Sequence, residues 1–222
     1  MTGEITPAQF QETPGLGDWR VLGDGGCAHF RTASLAESVR FVQAISELPA
    51  AREHPPDIDI RPGGVTVRVV TVSDDYFGMS EQDATVARQV SGIAHRLGLT
   101  PDPSALQSLL IIPGAKGIAG IMPFWRAVLG YEPRPDSPEE DLVDPHGRGT
   151  ALWFEEMDDL RADGGGNIHV AVWVPAEQAE ARVAAALAAG GQVVRDDYAP
   201  AWWTLADSAG NEVDIATISS RD

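Results

Sequence analysis

Two stretches of this 222-residue sequence carry side chains fit for chemistry. The first is Glu53-His54-Pro55-Pro56-Asp57-Ile58-Asp59-Ile60-Arg61, a histidine set among prolines and charged groups. An imidazole titrates near neutrality, so it can both give and take a proton at physiological pH. The second combines Asn167-Ile168-His169-Val170-Ala171-Val172 with Asp207–Ile215, which contains Asp214. Trp125, Trp153, Trp173, Trp202 and Trp203 are concentrated in the same half. Trp125 reads as core. Trp153, Trp173 and one of Trp202 and Trp203 can line an apolar cleft for a flat ligand, because small-molecule sites are mostly apolar and aromatic with a few polar groups. His29 and His95 read as surface or helix-face residues. Cys27 is the single cysteine, which excludes an intramolecular disulfide and a thiolate zinc cluster. No activating partner stands beside it, so it reads as an unreactive thiol.

The chain that must position these groups is strongly acidic. It has 33 acids against 16 bases, a formal net charge of -17, and 43% hydrophobic residues. The charge argues against a protein that grips nucleic-acid backbones or docks on an anionic membrane. The apolar fraction is ordinary for a globular core. The opening Met1-Thr2-Gly3-Glu4 has neither the basic region nor the apolar run of a signal peptide, and no apolar run approaches the ~20 residues of a membrane span. The expected compartment is the cytoplasm.

Periodicity then gives the elements. A short strand is expected over Trp19–Leu22. Ser34-Leu35-Ala36-Glu37 has the form of a capping box and opens a helix, with Leu35, Val39, Val42 and Ile45 as its apolar stripe and an end near Leu48-Pro49. Ile58 and Ile60 alternate with acids, Arg61–Gly64 makes a turn, and Val65–Val72 is a strong strand, together a hairpin. Ser80–Asp83 starts a second helix, with Val86, Val90, Ile93 and Leu97 inward, stopping at Gly98. Thr100-Pro101-Asp102-Pro103-Ser104 follows as a linker, dividing a domain over 1–100 from one over 105–222. Beyond it, strand Leu106–Ile112, helix Ile118–Leu129 and strand Ala151–Phe154 precede a Gly164–Gly166 connector. Strand Ile168–Val174, helix Ala176–Ala189 and three strands near Gln192–Arg195, Trp202–Leu205 and Glu212–Ile218 repeat that order. The fold class expected is α+β, with βαβββ occurring twice in the second half and closing around a shared cleft.

The first stretch, with Val65-Thr66-Val67 and Gly78-Met79-Ser80-Glu81-Gln82-Asp83, resembles the pterin-4a-carbinolamine dehydratase family over roughly residues 20 to 100. That resemblance implies a four-stranded antiparallel sheet with helices on one face, a lyase reaction that dehydrates a 4a-hydroxytetrahydropterin (a tetrahydrobiopterin-type substrate), and self-association into a homo-oligomer. Family members use a His-His-Pro run and a third histidine at the end of the hairpin. His54 matches the first, Pro55 stands at the second and Val72 at or beside the third. The resemblance makes His54 a catalytic residue, with Asp57, or Asp74 or Asp75, as replacement acid or base.

The second half resembles the glyoxalase/bleomycin-resistance/dioxygenase superfamily, also called vicinal oxygen chelate proteins, over about 105 to 219. Its markers are Pro123-Phe124-Trp125…Leu129-Gly130-Tyr131, the His169 strand and Asp207…Gly210-Asn211…Asp214. Metal-dependent members bring ligands from four strands. Here those positions fall on Ser108 (with Gln107 beside it), Trp153 (with Glu155 two residues on), His169 and Asp214. Two ligands in register imply a metal-free cleft in which Trp153, His169, Trp173, Trp202 and Asp214 bind ligand. The alternative is a divalent metal held by His169, Asp214 and Glu155. The whole chain is expected to act on, or bind, a small planar metabolite. One alternative is a non-catalytic binding or sequestering protein. The other is a metal-dependent lyase, isomerase or oxygenase.

Overall fold

The computed structural model describes residues 3–157, 168–206 and 212–219. The described residues divide into two compact units, one of 3–72 and 76–106, the other of 73–75 and those from 107 to 219. In the first, the order is β1 (Glu4–Ile5), α1 (Pro7–Glu12), β2 (Arg20–Leu22), β3 (Gly25–Arg31), α2 (Leu35–Ser46), α3 (Pro49–Glu53), β4 (Asp57–Arg61), β5 (Gly64–Val69), β6 (Thr71–Ser73), β7 (Tyr76–Ser80), α4 (Glu81–Arg96) and β8 (Thr100–Pro101). The main sheet runs β2-β3-β5-β4, antiparallel throughout, with β8 added beside β3. A second, three-stranded sheet is ordered β1-β7-β6.

One face of the main sheet is the core. Ala28, Phe30, Val65, Val67 and Val69 are buried with Phe41 and Ile45 of α2 and Val86, Val90 and Ile93 of α4. Phe30 and Phe41 meet edge to face at 5.3 Å, the geometry ring quadrupoles favour. Trp19 is fully buried, and its indole N–H donates to Ser91 Oγ on α4 at 3.0 Å.

Three local expectations need correction. The stripe of α2 is rotated: Leu35 and Val39 are 70% and 50% exposed, while Ser38, Phe41 and Ile45 face inward. The aromatic Phe41 offers more apolar area than either residue, and the Ser38 hydroxyl is satisfied by Thr32 at 2.7 Å. At the start of that helix Ser34 Oγ accepts the Glu37 N–H, but Glu37 caps Ala33 N rather than returning to Ser34. The Val65–Val72 strand is two strands: β5 ends at Val69, and Thr71 begins β6 in the other sheet. A short helix, α3, also follows α2 directly, because Pro49 stops α2 yet suits the first position of a new turn.

The proline stretch after α4 is tied into the first unit. Arg31 pairs with Asp102 at 2.7 Å, the Asp102 N–H donates to the His29 carbonyl, and Pro103–Ala105 forms one 3-10 turn.

The second unit contains β9 (Ser108–Ala115), α5 (Ile118–Leu129), β10 (Glu132–Pro133), β11 (Asp141–Val143), β12 (Ala151–Trp153), β13 (Glu155–Glu156), β14 (Ile168–Trp173), α6 (Ala176–Ala188), β15 (Gln192–Arg195), β16 (Trp202–Ala206) and β17 (Glu212–Ala216). Its nine-stranded sheet runs β10-β11-β12-β9-β14-β17-β16-β15, with β13 paired to β9. Strand β12 is parallel to β9, β17 is parallel to β14, and β9 and β14 join antiparallel at the centre. This is βαβββ twice. Glu156 caps α5 from a distance, its carboxylate accepting the N–H groups of Gly117 and Ile118 at 2.8 and 3.3 Å. The Gly164–Gly166 connector lies outside the described residues. No helix among the described residues is long and apolar enough to cross a membrane.

The rotation of α2 is testable by urea unfolding. Phe41→Ala is expected to cost about 3–5 kcal/mol, as large core truncations do, and Leu35→Ala less than about 0.5 kcal/mol, as at ordinary surface sites.

Candidate functional site

His54 closes α3. Its N–H donates to the Ala50 carbonyl at 2.8 Å, and its backbone leaves the helical region (φ -136°) to enter Pro55-Pro56. Its ring is 17% exposed, and Nε2 lies 2.6 Å from Oδ1 of Asp83, whose side chain is fully buried. Asp83 is the third residue of α4 and forms a reciprocal capping box with Ser80. Its Oδ2 accepts the Ser80 N–H at 2.8 Å, and the hydroxyls of Thr71 and Ser80 lie 2.6 and 3.0 Å from it. Those two hydroxyls are 2.7 Å apart. One carboxylate thus joins α3, β6 and the start of α4.

The arrangement fixes a tautomer. An acceptor-only carboxylate at Nε2 requires the proton there, which leaves Nδ1 as the lone-pair nitrogen. Among the described residues no partner engages Nδ1. A buried carboxylate that orients an imidazole and stabilises its cation is the logic of acid/base dyads.

The carboxylates named with His54 in the sequence lie elsewhere. Asp57, at the start of β4, accepts from Arg68 Nη1 at 3.2 Å with its side chain 61% exposed. Asp74 and Asp75 are exposed in the turn between β6 and β7, where Ser73 Oγ donates to Asp75 at 3.2 Å. Pro55 and Val72 are exposed. The carboxylate that meets His54 was legible only as a helix-start residue; its burial depends on β6 turning away from β5.

In the second unit, strand register sorts the side chains into two faces. Ala171 pairs with Leu110 and Asp214, Trp173 with Ser108 and Ala216, and His169 with Ile112. Asp214 pairs onward with Thr204, and Ala216 with Trp202. Ala151 pairs with Leu110 and Glu155 with Gly114, which puts Trp153 and Glu155 on the same face. So Trp153, Trp173, Trp202, Asp214, Glu155 and the His169 position share one face. The opposite face carries Leu205, Ile215, Val172, Val213 and Trp203 against α6, and Leu152 and Ile111 with Trp125 of α5. Register therefore decides between the neighbours Trp202 and Trp203: Trp202 is on the helix-free face, stacked on Tyr198 at 4.2 Å.

On that face Trp153 is 44% exposed and Trp173 is buried. Asp214 accepts the Thr204 hydroxyl at 2.6 Å. Glu155 is exposed. The His169 side chain, and residues 207–211 of the marker string before Asp214, lie outside the described residues. Among the described residues no group of three His, Cys, Asp or Glu side chains converges as metal ligands do.

These features define an α+β domain with an Asp-oriented histidine and a paired βαβββ domain with, among the described residues, both helices on one face of its sheet. The pterin 4 alpha carbinolamine dehydratase profile matches residues 3–93, and the glyoxalase-like domain profile matches 111–216. The chain belongs, through its first domain, to the pterin 4 alpha carbinolamine dehydratase family. Two curated proteins named "Putative pterin-4-alpha-carbinolamine dehydratase", from Mycobacterium sp. strains KMS and MCS, are each 31% identical over 83 residues, covering 37% of this chain and 86% of theirs. A solved glyoxalase/bleomycin resistance protein/dioxygenase superfamily member from Vibrio splendidus 12B01 is 17% identical over 50% of this chain and 99% of its own, with a TM-score of 0.35. A solved structure titled NAD-dependent benzaldehyde dehydrogenase from Legionella pneumophila is 15% identical over 49% of this chain and 97% of its own, with a TM-score of 0.37. Neither likeness bears on what this chain acts on.

Two groups outside the site have measurable consequences. Burial pushes the Cys27 thiol up to about 11, so a thiol reagent at pH 8 is expected to label it only in denaturant. Burial, opposed more weakly by Asp102, lowers the His29 pKa. The unfolded chain then binds the extra proton first, so this group costs stability as pH falls through about 6.5 and below. A proton NMR titration should show the His29 ring titrating below the ordinary histidine value.

Proposed function

We propose that the first domain dehydrates a pterin-type carbinolamine, with His54 as the single proton carrier and Asp83 as the residue that positions it. The observation that carries this reading is the 2.6 Å contact between His54 Nε2 and the buried Asp83 carboxylate, which leaves Nδ1 as the free base.

A carbinolamine holds a hydroxyl and a nitrogen on one carbon. Dehydration breaks the N–H and C–O bonds. The N–H electron pair becomes the new C=N bond, and the hydroxyl leaves with a proton as water. One proton is taken from nitrogen and one is given to oxygen, so an imidazole that accepts the first and delivers the second ends as it began. The two atoms are neighbours on one carbon, so one ring can reach both. This is why Pro55 and Val72 in the family's other histidine positions do not by themselves remove the chemistry. Asp83 stabilises the imidazolium formed between the two transfers.

The second domain's contribution is proposed from a separate observation. Trp153 and Trp202, on the same sheet face as Asp214, support binding of a flat ligand by stacking with one polar anchor. A divalent metal at His169, Asp214 and Glu155 is the competing proposal for that face.

The test is turnover of a 4a-hydroxytetrahydropterin by the full chain. His54→Ala is expected to lower kcat by about 10²–10⁴-fold, the usual worth of a general acid/base. Asp83→Asn, which can donate to Nε2 and so favours the wrong tautomer, should lower kcat more than it raises KM. A wild-type chain that does not accelerate the reaction over solvent would sink the proposal. For the second domain, tryptophan fluorescence quenched by a pterin, and lost in Trp153→Ala, supports the stacking face. Stoichiometric metal in the purified protein, absent from His169→Ala, would replace it with the metal site.

A further inference from the structure

We infer that α4 carries a second small-molecule site, an anion-binding groove for a small organic phosphate, separate from the His54–Asp83 dyad. The groove is a cavity of about 400 Å³ lined by Leu48, Thr85, Arg88, Gln89, Gly92 and Arg96. That volume lies within the usual range of small-molecule pockets, roughly 300–1,000 Å³. Asp83 and His54 do not line it.

Its charge is unusual for this chain. Acids outnumber bases 33 to 16, and the arginines Arg31, Arg61, Arg68, Arg134 and Arg148 are each paired with an aspartate. Arg88 and Arg96, like Arg40, Arg126 and Arg195, have no such partner among the described residues, and these two line the groove together, with no acid in its lining.

Two glycines seat them. Gly15, at φ +87°, lies under the Arg88 stem: a Cβ there would stand 3.2 Å from Arg88 Cγ. Arg96 folds back along the helix over Gly92, where a Cβ would stand 3.5 Å from Nη1. The Arg96 guanidinium thus runs along the helix surface at the Gly92 position. The Gln89 carboxamide adds a donor with no partner among the described residues, and Leu48 supplies an apolar wall.

Guanidinium forks match the oxygens of a phosphate, two N–H groups to two oxygens, better than any other side chain does. Two of them beside a carboxamide donor suit a dianionic phosphate, and the remaining space with its leucine wall suits an organic substituent.

Inorganic pyrophosphate is the probe, titrated calorimetrically into the full chain at low ionic strength, with succinate as the carboxylate control. The expected result is saturable binding of pyrophosphate, weaker binding of succinate, and a loss of about tenfold or more in affinity for Arg88→Gln/Arg96→Gln. Both substitutions are at exposed positions, so the thermal unfolding midpoint should be unchanged. Added salt should weaken binding, and His54→Ala should leave it intact. The inference is overturned by no saturable heat with millimolar pyrophosphate, by equal affinity in the double variant, or by succinate binding as tightly as pyrophosphate.

Discussion

The first domain is organised around one buried carboxylate. Taking a charge out of water costs several kcal/mol unless hydrogen bonds replace the lost hydration. Asp83 has them: the Ser80 N–H, the hydroxyls of Thr71 and Ser80, and the His54 ring all lie within 3.0 Å of its oxygens. Each donor comes from a different local constraint. Ser80 is the helix cap, Thr71 is the first residue of β6, and His54 is the residue that caps the end of α3. If any of these elements moves, a buried charge loses a donor, so the cluster resists displacement of all of them. The same cluster holds the imidazole in one tautomer. The hydrogen bonds that hold these elements together are therefore the ones that orient the imidazole, with no second histidine beside it among the described residues.

The second domain solves a different problem. Among the described residues, α5 and α6 pack on one face of its nine-stranded sheet. Alternation along the strands assigns apolar residues to the helix side. It assigns Trp153, Trp173, Trp202, Thr204 and Asp214 to the other. The parallel pairings of β12 with β9 and of β17 with β14, joined by the antiparallel contact of β9 with β14, bring both modules into that one surface. Asp214 and Thr204, 2.6 Å apart, put a hydrogen-bonded polar pair on the same face as Trp173 and Trp202.

Neighbouring residues illustrate how much rests on register. Trp202 and Trp203 have the same chemistry and adjacent places, yet Trp203 packs on the α6 core while Trp202 stacks on Tyr198. Thr71 and Val72 are similarly divided: the threonine is buried against Asp83, and the valine faces outward. In both pairs the side-chain period of two converts a single step along the chain into a change of face.

The sequence by itself determined the class of each half, the helices that begin at Ser34, Ser80, Ile118 and Ala176, the doubled βαβββ order and His54 as the residue to watch. Those features are local: caps, prolines, glycines and periodicity act over a few residues. Tertiary structure decided what local pattern could not. It rotated α2 so that Phe41, not Leu35 or Val39, meets the sheet, because burial follows the largest apolar area the neighbours can accept. It ended β5 at Val69 and carried Thr71 to Asp83. It paired His54 with a carboxylate 29 positions away, and left the nearer Asp57 to Arg68. A hydrogen bond needs two atoms within about 3 Å, and only the packing of three separate elements brings those atoms together.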